Sequence, residues 1–109
     1  HEALKTITDR NKEMSKYATS VRFFVKEGKL DSFIKEVENF PNCGEISIQW
    51  YKTGEHTIAV NSVFESKKAL SDARPKMIEN LNKVRHLLQE ISPEKGVTDP
   101  VSGPVFDEK

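Results

Sequence analysis

Gly44-Glu45-Ile46-Ser47-Ile48-Gln49-Trp50-Tyr51-Lys52, then Thr53-Gly54-Glu55, then His56-Thr57-Ile58-Ala59-Val60-Asn61-Ser62-Val63-Phe64: this stretch decides the fold. In its first part Ile46, Ile48 and Trp50 alternate with Ser47, Gln49 and Tyr51. Alternation of apolar and polar residues is the mark of a strand with one buried face. Its last part is rich in β-branched residues and ends on an aromatic, which suits a second strand. A short loop containing Gly54 joins the two. The pair therefore reads as an antiparallel hairpin, with strands over Gly44–Lys52 and His56–Phe64.

Upstream, Ser20–Lys26 (Ser-Val-Arg-Phe-Phe-Val-Lys) reads as another strand, closed by the turn signal Glu27-Gly28. Val21, Phe23 and Val25 point to one face, Arg22 and Phe24 to the other. Leu30, Phe33, Ile34, Val37 and Phe40 then share one side of a helix over Leu30–Phe40. Asp31 places a carboxylate at its start, where the exposed N–H groups favour negative charge. Pro41-Asn42-Cys43-Gly44 stops it.

Downstream, Ser66 is placed to cap a short helix ending near Ala73. Proline is incompatible with a helix interior but suits a first turn. A break is thus expected near Arg74, with a second helix from Pro75 to Ile91. Its stripe would be Ile78, Leu81, Val84 or Leu88, and Ile91. The tail, Ser92–Lys109, holds three prolines and two glycines. Val97, Val101, Val105 and Phe106 would form a closing strand there, and Pro100 and Pro104 confine it to a sheet edge. Residues 2–16, with Leu4, Ile7 and Met14 at helical spacing, read as a weak amphipathic helix or an arm. Apart from that segment the order is β-α-β-β-α-β, an α+β chain of the split, ferredoxin-like kind. An antiparallel sheet with helices on one face leaves the other bare. A second copy of the same sheet is the simplest cover, so a homodimer is expected.

The 109 residues suit one domain, and 17 basic residues balance 17 acidic ones. A chain with zero net charge and interleaved signs offers no field to displace counterions, so nucleic-acid binding is not expected. A single cysteine, Cys43, cannot form an internal disulfide. No apolar run is long enough for a membrane-spanning helix, and His1-Glu2-Ala3-Leu4-Lys5 lacks the apolar core of a signal peptide. The expectation is a cytoplasmic protein without membrane partners.

Two runs resemble a known family. Val21–Phe33, an apolar strand meeting a Lys/Gly turn and a helix with an early Phe, is similar to the opening of the antibiotic biosynthesis monooxygenases. Val63-Phe64-Glu65-Ser66-Lys67-Lys68-Ala69-Leu70 resembles that family's exit from the third strand. The resemblance covers roughly residues 18–106. It implies a dimeric α+β barrel of two face-to-face sheets over residues 18–109, with residues 1–17 as a helix or arm outside it. It also implies a pocket between sheet and helices. Characterised members include cofactor-free oxygenases of quinols and polycyclic aromatics, and haem-degrading oxygenases. Haem-degrading relatives carry an Asn on strand 1, a Trp early in the helix after strand 3 and a His beyond it. Strand 1 here has no Asn, the Trp position falls near Ala73, and His86 lies late. These departures argue against haem. The stretch Ser71-Asp72-Ala73-Arg74 also lacks a His that many members place there.

The resemblance implies oxidation of a small aromatic or quinol-type compound without metal or flavin. Such chemistry needs a base, a donor for the substrate anion, and aromatic walls. The candidates are His56 as base, Arg22 and Asn61 as anion-stabilising groups, and Trp50, Phe24, Phe64 and Tyr51 as substrate-binding walls. Each has a plainer alternative: core packing for Trp50, the dimer seam for Tyr51, a satisfied structural amide for Asn61, an exposed or interface position for Arg22, a hairpin surface for His56. The histidines and Cys43 show no metal-ligand spacing, so neither metal nor cofactor is expected. Cys43 reads as an inert thiol. The competing function is a non-catalytic dimeric barrel that binds a small metabolite or serves in stress response.

Overall fold

A computed structural model describes residues 15–109. The expected helix or arm over residues 2–16 falls almost wholly outside them. Strand β1 spans Tyr17–Val25, helix α1 Leu30–Glu38, β2 Ser47–Lys52 and β3 Thr57–Phe64. Helix α2 follows over Lys67–Val84, then a 3₁₀ turn, Arg85–Leu87, and two short strands, β4 (Leu88–Gln89) and β5 (Asp99–Pro104). The five strands form one antiparallel sheet in the order β2-β3-β1-β4, with β5 also paired to β1. That is the split β-α-β order, and both helices lie on one face.

Local chemistry explains the joints. Gly28 takes φ +77° in the turn between β1 and α1, a left-handed conformation that glycine adopts without Cβ strain. The β2–β3 hairpin closes with a Thr53 N–H donating to the Thr57 carbonyl at 3.0 Å. Ser66 caps α2 as expected, its hydroxyl accepting from the Ala69 N–H at 3.1 Å.

The region after β3 differs from expectation. Pro75 does not break the helix: α2 runs through it as one element. Proline deletes one backbone donor. Burial on both sides of it, Leu70 and Ala73 before and Val84 after, offsets that loss. The helix also ends at Val84, well before Ile91, and Leu88 enters the sheet as a buried strand residue. The inward stripe is accordingly Leu70, Ala73, Asn80 and Val84, and Ile78 is 52% exposed.

The edge beside β1 is built in two pieces. β4 pairs with Phe24 and Val25, β5 with Tyr17 to Arg22, and residues 90–98 loop out between them. The expected closing strand exists, and its prolines sit on an outer edge, where no ladder donor is needed. Asp99 fastens it. Its carboxylate accepts from Arg22 (Nη2 at 2.6 Å) and from Lys95 (Nζ at 2.8 Å). The Lys95 bond first, and Arg22 second, hold the Asp99 carboxyl below the usual carboxylate range. A carboxyl lowered in the folded state adds stability above its ordinary titration range, and that stability is lost as pH falls through the lowered value. Asp99→Asn is therefore expected to lower the urea midpoint slightly near about pH 6, and by less once pH falls below the ordinary carboxylate range. An equal difference in both pH ranges would show that charge is not what fastens β5.

Two apolar clusters fill the space between sheet and helices. The larger joins Phe23, Val25, Phe33, Ile58, Val60, Val84, Leu87 and Leu88. The smaller joins Phe64, Leu70 and Ala73. The opposite face of the sheet carries Ser20, Arg22 and Phe24 from β1, Ala59, Asn61 and Val63 from β3, Tyr51 from β2 and Val101 from β5. The helices pack on the other face, and here Arg22, Asn61, Tyr51 and Val101 are exposed while Ala59 is buried among its neighbours.

Candidate functional site

The inner face of the sheet does not meet the helices flush. A partly open cavity of about 630 Å³ lies between β1, β2 and β3 on one side and α1, α2 and the Pro41–Glu45 loop on the other. That volume is in the range of small-molecule sites.

Its walls follow from strand register. Val21 pairs with Val60, and Val60 with Trp50, so three inward side chains form one row across the floor. The next row toward the hairpin loop holds Phe23 and Ile58, and the row beyond Val60 holds Ser62 and Ile48. At one end aromatic rings gather round Trp50. Phe23 stacks on it (centroids 5.9 Å apart, planes at 19°), and Phe33 and Phe40 meet it edge-on at 6.1 and 6.2 Å. Rings so arranged attract one another beyond the area they bury.

The wall next to Phe40 is more polar. Asn80, on the inward stripe of α2, donates from Nδ2 to the Pro41 carbonyl and to the Cys43 sulfur, both at 3.4 Å. Its Oδ1 accepts from Lys83. The Asn42 carboxamide accepts from the Gly44 N–H at 2.6 Å, and Gly44 takes φ +99°. Glu45 receives the Cys43 N–H. These bonds fix the loop that forms the cavity's rim. Burial, and next the Glu45 carboxylate, push the Cys43 thiol above its usual pKa. A protonated thiol is a poor nucleophile, in keeping with an inert role.

The residues singled out in the sequence do not all meet here. Trp50 lies on the cavity wall. Phe64 does not: it is 0% exposed at the heart of the second apolar cluster. Arg22, Phe24 and Asn61 project from the opposite face of the sheet. There Ser20 Oγ bonds Asn61 Oδ1, and the Arg22 guanidinium lies 5.9 Å from the Phe24 ring centre while bound to Asp99. Tyr51 also lines the cavity, at its mouth, on a strand whose odd-numbered residues face outward, and it is half-exposed. His56 borders a separate depression of about 440 Å³ with Val25, Lys26, Glu27 and Gln89. The sheet thus stands between the aromatic wall and the two proposed anion-stabilising groups. Among the described residues no group of three or more His, Cys, Asp or Glu could hold a metal. No described helix is long and apolar enough to cross a membrane.

Sequence reasoning missed Ser62, Asn80 and the Pro41–Glu45 rim. Ser62 follows Ile58 and Val60 at period two, which was a usable signal. Asn80 was hidden by the misplaced helix break, since its place on the stripe appears only when α2 is counted continuously from Leu70.

No family model matches the sequence, and no curated protein resembles it closely enough to match. Solved structures match its shape. A protein of unknown function from Nitrosomonas europaea superposes with a TM-score of 0.71 at 18% identity, over 89% of this chain and 95% of that one. A dimeric ferredoxin-like protein from an uncultured marine organism gives 0.67 at 14%, over 93% and 96%. A proposed antibiotic biosynthesis monooxygenase from Chloroflexus aurantiacus gives 0.65 at 14%, over 87% and 97%. At such identities the likeness speaks for architecture alone. The chain has the ferredoxin-like α+β fold that these proteins share.

Proposed function

We propose that the protein is a homodimer that binds a small aromatic compound in the cavity between sheet and helices. The cluster of four rings around Trp50, at one end of a 630 Å³ cavity, carries this reading. A flat apolar ligand gains stacking there and loses no hydrogen bonds on entry. The dimer rests on the uncovered sheet face and on the likeness to a protein described as dimeric. In it, Arg22, Phe24, Asn61 and Tyr51 belong to the seam between two sheets.

Val60 is the residue to test. It lies at the centre of the floor, opposite Trp50 in register. Val60→Phe puts a ring into the cavity at an overpacking cost of about 1–3 kcal/mol. Calorimetric titration with 1-naphthol is expected to show binding to the unmodified protein and at least tenfold weaker binding to the variant. Equal binding to both would sink the cavity reading.

Oxygenation of such a compound without metal or flavin is the second reading, favoured by the shared fold with proposed antibiotic biosynthesis monooxygenases. Its readout is oxygen uptake with a panel of quinols. Arg22 and Asn61 reach a substrate only from the seam. Loss of uptake in Asn61→Ala would place the reaction there, and loss in Val60→Phe alone would place it in the inner cavity. No uptake from any quinol leaves binding as the activity.

A further inference from the structure

Three polar side chains are buried among the described residues: Thr19, Ser62 and Asn80. Buried polar groups in folded proteins are almost always bonded. Thr19 is, since its hydroxyl donates to the Val101 carbonyl at 3.2 Å. Asn80 uses both ends of its amide on Pro41, Cys43 and Lys83. Ser62 is 5% exposed, no side chain or backbone group among the described residues bonds its hydroxyl, and the hydroxyl oxygen is not sealed from solvent. It lies on the cavity wall, one row beyond Val60, and the surface left to it opens into the cavity.

We propose that Ser62 is the polar anchor of the cavity, and that it selects an uncharged aromatic ligand bearing one hydroxyl or carbonyl group. The proposal rests on the cavity-binding reading above and adds a chemical class to it. The ring of the ligand lies against Trp50 and Val60, and its oxygen reaches the Ser62 hydroxyl, which can donate or accept. Charge sets the second restriction. Glu38 and Glu45 line the cavity against a single lysine, Lys52, so an anion meets no surplus of positive charge. Thr19 and Asn80 cannot take the anchoring role without breaking bonds that hold β5 and the rim.

The experiment compares three probes of similar shape, 1-naphthol, naphthalene and 1-naphthoate, by calorimetry on the unmodified protein, Ser62→Ala and Val60→Phe. The expected result is binding of 1-naphthol about three- to tenfold tighter than naphthalene, the worth of one net hydrogen bond. Naphthoate is expected to bind weakest. Ser62→Ala, a change of one atom on a strand, should abolish the preference and leave naphthalene affinity unaltered. If naphthol and naphthalene bind equally and Val60→Phe weakens both, the cavity reading stands and the Ser62 anchor is overturned, with water as the partner of that hydroxyl. If Ser62→Ala keeps the preference, the anchor is overturned as well. If Val60→Phe changes neither, both readings fall together.

Discussion

Phe64→Ala is expected to lower folding stability by about 3–5 kcal/mol, the usual cost of deleting a buried phenyl ring. Phe64 is 0% exposed, and Leu70 and Ala73 pack on it with Tyr17, Ala69 and Met77 around them. This cluster fastens the first half of α2 to the end of β3. The second half is held separately, by Val84 in the larger cluster. Removing the ring leaves a void that neither side can close, because Ser66 caps the helix where it leaves the strand. Against a total stability of about 5–15 kcal/mol for a domain of this kind, the loss is a large share. Phe106, 99% exposed, supplies the contrast: Phe106→Ala should change stability by less than about 0.5 kcal/mol. Urea unfolding followed by fluorescence of Trp50, the chain's single tryptophan, reads both. Matching midpoints for the two variants would contradict the placement of Phe64 in the core. Because Phe64 does not line the cavity, the folded fraction of Phe64→Ala should still bind 1-naphthol.

That residue shows where sequence reading reaches and where it stops. Strict alternation in Ile46–Tyr51 gave the face of Trp50 correctly, because Trp50 packs on the core, although Ile46 and Ile48 on the same face stay 46% and 42% exposed where the pattern predicts burial. The same rule puts Phe64 inward with Ile58, Val60 and Ser62, as the structure has it. What periodicity cannot say is which stretch of an inward face touches packed side chains and which borders a void. Phe64 and Trp50 look alike in the sequence, and the distance of α2 from the sheet separates their roles. Arg22 and Asn61 were legible as residues of the other face. Their separation from the aromatic wall follows from that same alternation, since Trp50 is inward and they are outward. Pro75 misled for a different reason. Local propensity argued for a break, but a helix anchored by Leu70 and Ala73 on one side and Val84 on the other tolerates one missing donor. Moving that boundary rotated the expected stripe onto Ile78 and hid Asn80. The two-piece edge of β4 and β5 had no strong local signal, because pairing of two residues is set by the neighbouring strand and not by the pair itself.

The Phe24→Glu, Val63→Glu double variant is expected to turn a dimer into a monomer. Phe24 and Val63 are apolar side chains on the two central strands of the uncovered sheet face, and both are only half-exposed even in the single chain. In a single chain, carboxylates at these positions meet water on one side, and the Glu at position 24 would lie beside Arg22. Fold stability should therefore change little. A two-fold seam is different, because each substitution appears twice and faces the same patch of the partner. Four carboxylates would enter a surface that must lose its water. Truncating or mispairing one buried charge already costs about 3–5 kcal/mol, so the pair of substitutions should weaken association at least about a thousandfold. Size exclusion with light scattering gives the answer directly. The unmodified protein should run at about twice the 12.4 kDa chain mass and the double variant at that mass itself, with unchanged circular dichroism. A unmodified protein that runs as a monomer would remove the homodimer, and a double variant that still dimerises would move the seam to another face. In the second case Arg22, Asn61 and Tyr51 would be solvent residues, and the oxygenation reading would keep only the groups inside the cavity.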